Sequence, residues 1–126
     1  MGLFGQLVKN RRAHLELGLR EFCEELGYDP SNWSKIERAL FPPPSDRKLL
    51  ERVATVLGMD NDPQQCQELY DAADLDRNQI PKDISEDAHI MSMLPAFMRT
   101  IRETKPTSEE IDELMKLLRE DFREKI

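Results

Sequence analysis

The chain has 126 residues, of which 39% are hydrophobic and 34% charged, and its formal net charge at pH 7 is −7. This length holds one domain, or one small domain with an accessory segment. Its longest apolar run has only a few residues, far below the roughly 20 of a membrane span, so the composition excludes a membrane-spanning class, while the acidity argues at first against a nucleic-acid binder.

The charge is distributed unevenly along the chain. Residues 1–58 contain nine Lys or Arg and eight Asp or Glu, whereas residues 59–126 contain nine and seventeen. The acidity therefore belongs to the second half, and the first half can still present a basic face to phosphates. This asymmetry predicts a separate task for each half.

The first predicted helix spans about residues 3–17. Its inner stripe has helical spacing and contains Phe4, Leu7, Val8 and Leu15. Lys9 and Arg12 are predicted to face outward, within the basic cluster of residues 9–12. A solvated surface accounts for such a cluster, but its place just before the next two helices also suits contacts with backbone phosphates.

Two short helices joined by a tight turn are predicted between Leu17 and Leu40. Gly18 can cap the first of them. Gly27 ends it, because a residue without a Cβ atom readily adopts the left-handed conformation of a helix stop. Two short helices separated by a glycine turn are typical of a helix-turn-helix.

The second helix of this pair, about residues 30–39, carries the candidate reading face. Asp29 is a plausible N-cap, and Pro30 suits the first helical position. Trp33 and Ile36 are predicted to point into the core, which leaves short polar and basic side chains outside. Glu37 cannot approach phosphates cheaply, and we expect it to pair with a basic neighbour or to cap structure within the domain.

A proline-rich loop at residues 41–45 and two further helices complete the first predicted domain. Ser45 or Asp46 caps the fourth helix, which runs to about residue 57. The fifth spans roughly residues 63–73 and begins at a proline. We therefore predict a compact five-helix domain over residues 1–75.

The second predicted domain, residues 76–126, consists of an acidic connector and a helical extension for dimerisation or partner binding. Its first apolar pattern is interrupted by Pro95, which either kinks one helix or separates two. A last helix, about residues 108–125, has one apolar stripe and needs a partner surface, which a second subunit can provide. The three methionines Met91, Met93 and Met98 suit either an adaptable protein contact or a core or dimer contact.

Catalytic and metal-binding patterns are missing from the sequence. His14 and His89 lie in separate modules and belong to no metal-ligand spacing. The two cysteines show no CxxC spacing, so a reduced cytoplasmic protein is the simplest interpretation. We expect no enzyme activity, no cofactor, no metal and no membrane partner.

With these segments in view, residues 4–75 resemble the Xre/Cro family of helix-turn-helix regulators. The resemblance is carried by LREFCEELG, by YDP, by SNWSKIER and, after the loop, by LLERVATVLGM. It implies the lambda-repressor-like five-helix fold and binding of double-stranded operator DNA as a homodimer, usually as a repressor. The tail at residues 94–102, with the following SEEIDELMKLL, resembles the C-terminal extension of some Xre-type regulators.

The resemblance also implies roles for individual residues. It places four residues at the base edges: Pro30, Ser31, Asn32 and Lys35. Together with the basic cluster, it predicts five phosphate contacts: Lys9, Arg12, Arg20, Ser34 and Arg38. Lys35 is expected to contact a base or a phosphate, with plain solvation as the alternative. The sequence departs from the family at Leu19–Arg20, where many relatives have Gln or Ser, and at Ala39, where many have Gly.

Two other functions stay open at this stage. Some relatives are antitoxins, and the acidic second half suits neutralisation of a basic protein toxin, with the DNA-binding half retained for autoregulation. The low overall charge also leaves open a domain that has lost DNA binding.

Overall fold

The computed structural model describes residues 2–121 of the chain. These residues form eight α-helices and one π-helical segment, with no β-strand among them. The helices are α1 Leu3–His14, α2 Leu19–Leu26, α3 Pro30–Glu37, α4 Arg47–Val56, α5 Pro63–Asp76, α6 Lys82–Ser85, α7 Ala88–Thr104 and α8 Ser108–Lys116, and the π-helical segment is Leu117–Asp121. The predicted all-α fold is confirmed, and the end of the last predicted helix lies outside the described residues.

The chain divides into two compact units, of which the first ends at Lys82 and the second begins at Asp83. The connector after α5 is tied to the first unit. Nη1 of Arg77 donates to the backbone carbonyl of Pro44 at 3.0 Å, and Pro81 is buried. The division into domains 1–75 and 76–126 stays a prediction.

In the first unit, α1 packs against α3 and α5, α2 packs against α3 and α4, and α4 packs against α5. The largest fully buried side chains come from all five helices and their connections: Trp33, Phe4, Phe22, Leu26, Leu57, Leu69, Val8, Val53 and Cys23. Leu15 was predicted in the inner stripe but is exposed. It lies beyond the last residue of α1, as its C-cap, so the helical period no longer directs it inward.

The aspartates that precede α4 and α5 cap them with their side chains. Asp46 accepts a hydrogen bond from the backbone N–H of Lys48, and Asp62 accepts from those of Gln64 and Gln65. These bonds satisfy N–H groups that have no partner within the helix. Between Ser45 and Asp46, the two alternatives for the fourth helix, the aspartate is therefore the cap.

In the second unit, α7 continues through Pro95 as one helix. The prediction had left open whether this proline kinks one helix or separates two. After the left-handed C-cap at Lys105, α8 begins with a capping box, in which Thr107 and Glu110 bond reciprocally. Neither α7 nor α8 has a buried residue. Among the described residues, no helix combines the length and the apolar character needed to cross a bilayer.

Candidate nucleic-acid interface

The turn between α2 and α3 is built from Gly27 and Asp29. Gly27 is left-handed, with φ of +77°, and its N–H donates to the carbonyl of Cys23 at 2.8 Å. The Asp29 carboxylate accepts from the backbone N–H of Asn32 at 2.9 Å and so caps α3. Pro30 follows in the first turn, where its missing N–H costs nothing. The predicted helix-turn-helix is therefore formed.

Trp33 fixes which side of α3 faces the core. Its side chain is fully buried, and its ring centroid lies 6.0 Å from that of Phe4, 5.2 Å from Phe22 and 5.3 Å from Tyr28. These contacts confirm the predicted core position. They also leave the opposite side of α3 free to face a ligand.

Glu37, at the end of α3, is the one buried charged residue of the described chain. Its carboxylate accepts a hydrogen bond from Nε1 of Trp33 at 2.8 Å and two from Arg12, from Nε at 3.0 Å and from Nη2 at 2.7 Å. A buried carboxylate is tolerated when it is paired and hydrogen-bonded in this way. The expectation that Glu37 pairs within the domain is confirmed.

Arg12 was predicted to contact DNA phosphates, and the structure gives it an internal role instead. Besides its two bonds to Glu37, it donates from Nη1 to the backbone carbonyl of Leu17 at 3.0 Å, so all three guanidinium nitrogens have protein acceptors. Its side chain is only 12% exposed. Arg12 lies one turn beyond the buried Val8, so its position borders the buried side of α1 and its side chain reaches α3. Arg11 is likewise engaged, donating from Nε to the carbonyl of Leu57.

The remaining candidates on α3 form one accessible face. Ser31, Asn32 and Arg38 are exposed, and Lys35 is partly exposed. Ser31, Lys35 and Arg38 have the spacing of one helix side, and Asn32 adjoins it near the N-terminus of α3. Arg38 donates from Nε to the Ser34 carbonyl at 3.3 Å, which leaves its other guanidinium donors available. Pro30 and Ser34 lie at the edges of this face and are half-buried.

Phe41 is a neighbour of Lys35 that the sequence analysis did not identify. The ammonium of Lys35 lies 5.2 Å from the centroid of the Phe41 ring, within the range of a cation–π contact. Ala39 is left-handed, with φ of +62°, and the N–H groups of Leu40 and Phe41 both donate to the Lys35 carbonyl. The chain reverses direction at Ala39 and thereby brings the Phe41 ring beside Lys35. No periodic pattern in the sequence predicts this contact.

Lys9 and Arg20 are the other predicted phosphate contacts. Both are exposed, one on α1 and one near the start of α2. Neither side chain has a hydrogen-bond or ion-pair partner among the residues that the structure describes. Their charges are therefore available to an anionic ligand.

The thiol of Cys23 is buried beneath α3. Burial raises the pKa of its thiol from 9.0 to about 11, the charge of Glu37 adds to the rise, and Arg12 opposes it. The thiol is therefore protonated at neutral pH, whereas cysteine chemistry requires the thiolate. Across residues 2–121, no group of His, Cys, Asp and Glu side chains is arranged to hold a metal ion.

Comparison with known proteins adds one match to this geometry. Residues 3–65 match a family described as a helix-turn-helix domain. The match covers half of the chain, starts at the first residue of α1, and includes the whole of α2, α3 and α4. No match was found among curated proteins or among solved structures.

Proposed function

The chain belongs to the helix-turn-helix domain family, and we propose that it is a sequence-specific double-stranded DNA-binding regulator that reads the major groove with α3. We further propose that it acts as a homodimeric repressor of the Xre/Cro type. The resemblance of residues 4–75 to that family supports this second step.

The observation that carries the proposal is the division of α3 into two sides. Trp33 and Glu37 are held inside by aromatic contacts and by Arg12. The other side presents hydroxyl, amide and ammonium groups, which are the donors and acceptors that base edges recognise. A major groove about 12 Å wide admits one such helix.

The exposed side chains fall into two classes of contact. Ser31, Asn32 and Lys35 lie on the first two turns of α3, and we propose that they contact base edges, with the half-buried Pro30 beside them. Asparagine suits adenine, and lysine suits guanine O6 and N7.

The phosphate contacts are proposed to come from side chains around this reading face. They are Lys9, Arg20 and Arg38, with the Ser34 hydroxyl beside them. Arg12 is not among them, because its guanidinium is engaged with Glu37 and Leu17. Phosphate contacts fix the orientation of the protein on the duplex but carry no sequence information.

Dimerisation would double the length of the site that is read. In helix-turn-helix dimers the half-sites lie about 34 Å apart, which is one turn of the duplex. The proposed operator is therefore a two-fold symmetric sequence of two such half-sites, and occupancy would exclude the transcription machinery.

The proposal is tested by selecting bound duplexes from a random pool and titrating the selected sequence in a mobility-shift assay. A scrambled duplex of the same composition is the matched control. We expect tighter binding to the selected duplex and weaker binding of both with rising salt. The absence of any shift at low salt would contradict the proposal.

A second function, that of an antitoxin, is favoured by the acidity of residues 59–126 and by the exposed apolar residues of α7 and α8. An acidic, partly apolar surface fits a basic protein. Its test is a stoichiometric complex of the full chain with a purified basic toxin, lost on Phe97→Glu while binding to a single half-site is kept. A toxin whose binding is indifferent to this change would contradict the assignment.

A further inference from the structure

The second unit has two amphipathic helices whose apolar sides are uncovered. Met93 is 57% exposed and Phe97 49%. The exposed apolar residues of this unit are together named the exposed stripe. On α7 they are Ile90, Met93, Phe97 and Met98. On α8 they are Leu114 and Met115, and on the π-helical segment Leu117 and Leu118. Helices of this length are marginal in water without packing of an apolar face, so the stripe needs a covering surface.

Folding of α7 onto α8 within one chain does not provide this cover. The two helices are joined by only three residues, Lys105 to Thr107. Close to this connection, Ile101, Pro106 and Ile111 are partly buried. Most of the stripe, however, stays exposed in the structure of the second unit, so the missing surface lies outside that unit.

The charged residues of α7 and α8 differ in sign, and on α7 it is Arg102, one turn beyond Met98, that borders the stripe. Basic residues exceed acidic ones on α7, where Arg99 and Arg102 stand against Glu103 alone. Acidic residues exceed basic ones on α8, which has Glu109, Glu110, Asp112 and Glu113 against Lys116. Within the described part of the chain, neither arginine and none of Glu109, Asp112 and Glu113 forms an ion pair. One unit therefore holds two unpaired and complementary sets of charges.

We propose that a second copy of this chain covers the stripe, with α7 of each copy lying along α8 of the other. A two-fold axis makes both pairings at once, because the same patch is used by both subunits. The helix with a basic excess would then meet the acidic helix of the other copy. A basic protein partner would complement α8 but would face Arg102 of α7.

This inference identifies the contact that forms the homodimer proposed above. It rests on the proposed DNA-binding function only for the effect that dimerisation has on DNA binding. Association through the second unit would tether two copies of α3. Because DNA plays no part in the contact, association is measurable with the full chain alone.

The first experiment is sedimentation equilibrium of the full chain without DNA. We expect a dimer, and we expect Phe97→Glu to raise its dissociation constant more than about 100-fold, because each dimer loses two buried rings and buries two charges. Ser92→Glu adds the same charge on the opposite side of α7 and should leave the constant within about three-fold of the wild-type value. A chain that stays monomeric at about 100 µM, or a dimer indifferent to Phe97→Glu, would overturn the inference.

The second experiment exchanges the charges. One variant, Arg102→Glu, makes both helices acidic; the other, Asp112→Lys/Glu113→Lys, leaves both with a basic excess. Each alone should dimerise about ten-fold more weakly than wild type, because like charges meet. An equimolar mixture should recover dimers containing one copy of each. If the mixture associates no better than the separate variants, α7 does not pair with α8 of the other copy.

Mobility-shift titration of the same preparations separates the two proposals. A monomeric chain that still binds a selected half-site would overturn the dimer contact and leave the DNA-binding function intact. A dimer that never shifts DNA, even at low salt, would overturn the DNA-binding function and leave the contact intact. Circular dichroism checks that every variant keeps its helix content.

Discussion

Arg12 and Glu37 form a two-pronged ion pair in the interior of the first unit, although they are 25 residues apart and lie on different helices. Their side chains are 12% and 6% exposed. Trp33 donates a further hydrogen bond to the same carboxylate. The pair thus ties α1 to the last turn of α3 and sets the orientation in which α3 presents its outer side.

Removing one partner of this pair should destabilise the fold strongly. We expect Glu37→Ala to lower the free energy of unfolding by about 3–5 kcal/mol, because it leaves the Arg12 guanidinium buried without its counter-charge. Urea denaturation followed through the fluorescence of Trp33, the chain's one tryptophan, measures the loss.

The matched control for this prediction is an exposed ion pair in the same unit. Arg47 and Glu51 lie 3.9 Å apart with side chains about 60% exposed. Glu51→Ala should cost less than about 1 kcal/mol. Similar losses for the two variants would show that the interior pair contributes no more than a surface pair.

The close approach of α1 and α3 makes a second prediction. A Cβ atom at Gly5 would fall on the backbone carbonyl of Glu37, which cannot move without shifting α3. Gly5→Ala should therefore lower the unfolding free energy by at least about 2 kcal/mol. At Gly18 the nearest atom to an added Cβ is a Glu21 carboxylate oxygen at 3.9 Å, and Gly18→Ala should change stability by less than about 1 kcal/mol. Calorimetric melting of the two variants compares them, and equal effects would contradict the steric explanation.

Features set by local sequence could be predicted well. The helical period placed Trp33 in the core, and the cap and stop residues Asp29 and Gly27 located the turn. Each of these depends on residues a few positions apart, so the chain's own pattern contains the information.

Features that depend on distant segments could not be predicted in the same way. Arg12 was predicted on the outer side of α1, yet its spacing of four residues from Val8 borders the buried side. The spacing alone does not show that an acidic residue from another helix is buried there to pair with it. The acceptors of Arg12 are Leu17 and the distant Glu37. The contact of Lys35 with Phe41 depends on the left-handed Ala39. A local sequence pattern does not show which side chains from different segments come into contact.

Ala39 itself provides a third prediction. Its φ of +62° is unfavourable for a residue with a Cβ atom, and glycine removes that cost. Ala39→Gly should raise the free energy of unfolding by about 1 kcal/mol. Ala13→Gly, in α1, should instead lower it by about 0.5–1 kcal/mol, because glycine weakens a helix. Denaturation midpoints of the two variants would have to shift in opposite directions for the explanation to hold.

The buried thiol of Cys23 predicts a loss of stability at alkaline pH. Its pKa rises from 9.0 in the unfolded chain to about 11 in the fold, mainly through burial. The native state therefore binds the thiol proton more tightly than the unfolded chain does. This difference stabilises the fold fully below pH 9, and the stabilisation is lost as the pH rises through about 11. The loss should reach about 2–3 kcal/mol.

Cys23→Ala isolates this contribution from the other groups that titrate in the same range. Unfolding free energies of both proteins at intervals between pH 8 and pH 11 give the comparison. Their difference should shrink or change sign as the pH rises, because only the wild type loses the contribution of the thiol. A constant difference would show that the thiol does not titrate with a raised pKa.

The last prediction separates base reading from phosphate binding within the proposed interface. Lys35 lies on the outer side of α3 beside Phe41, whereas Lys9 is an exposed cation on α1. If Lys35 contacts a base, Lys35→Ala should weaken binding to the selected duplex by about 1–3 kcal/mol and leave binding to the scrambled duplex nearly unchanged. Lys9→Ala should weaken both duplexes alike and reduce the salt dependence by about one phosphate contact. Mobility-shift titrations of both duplexes at several salt concentrations measure the two effects. Equal losses on both duplexes for Lys35→Ala would place its ammonium on the backbone and leave Ser31 and Asn32 as the readers of sequence.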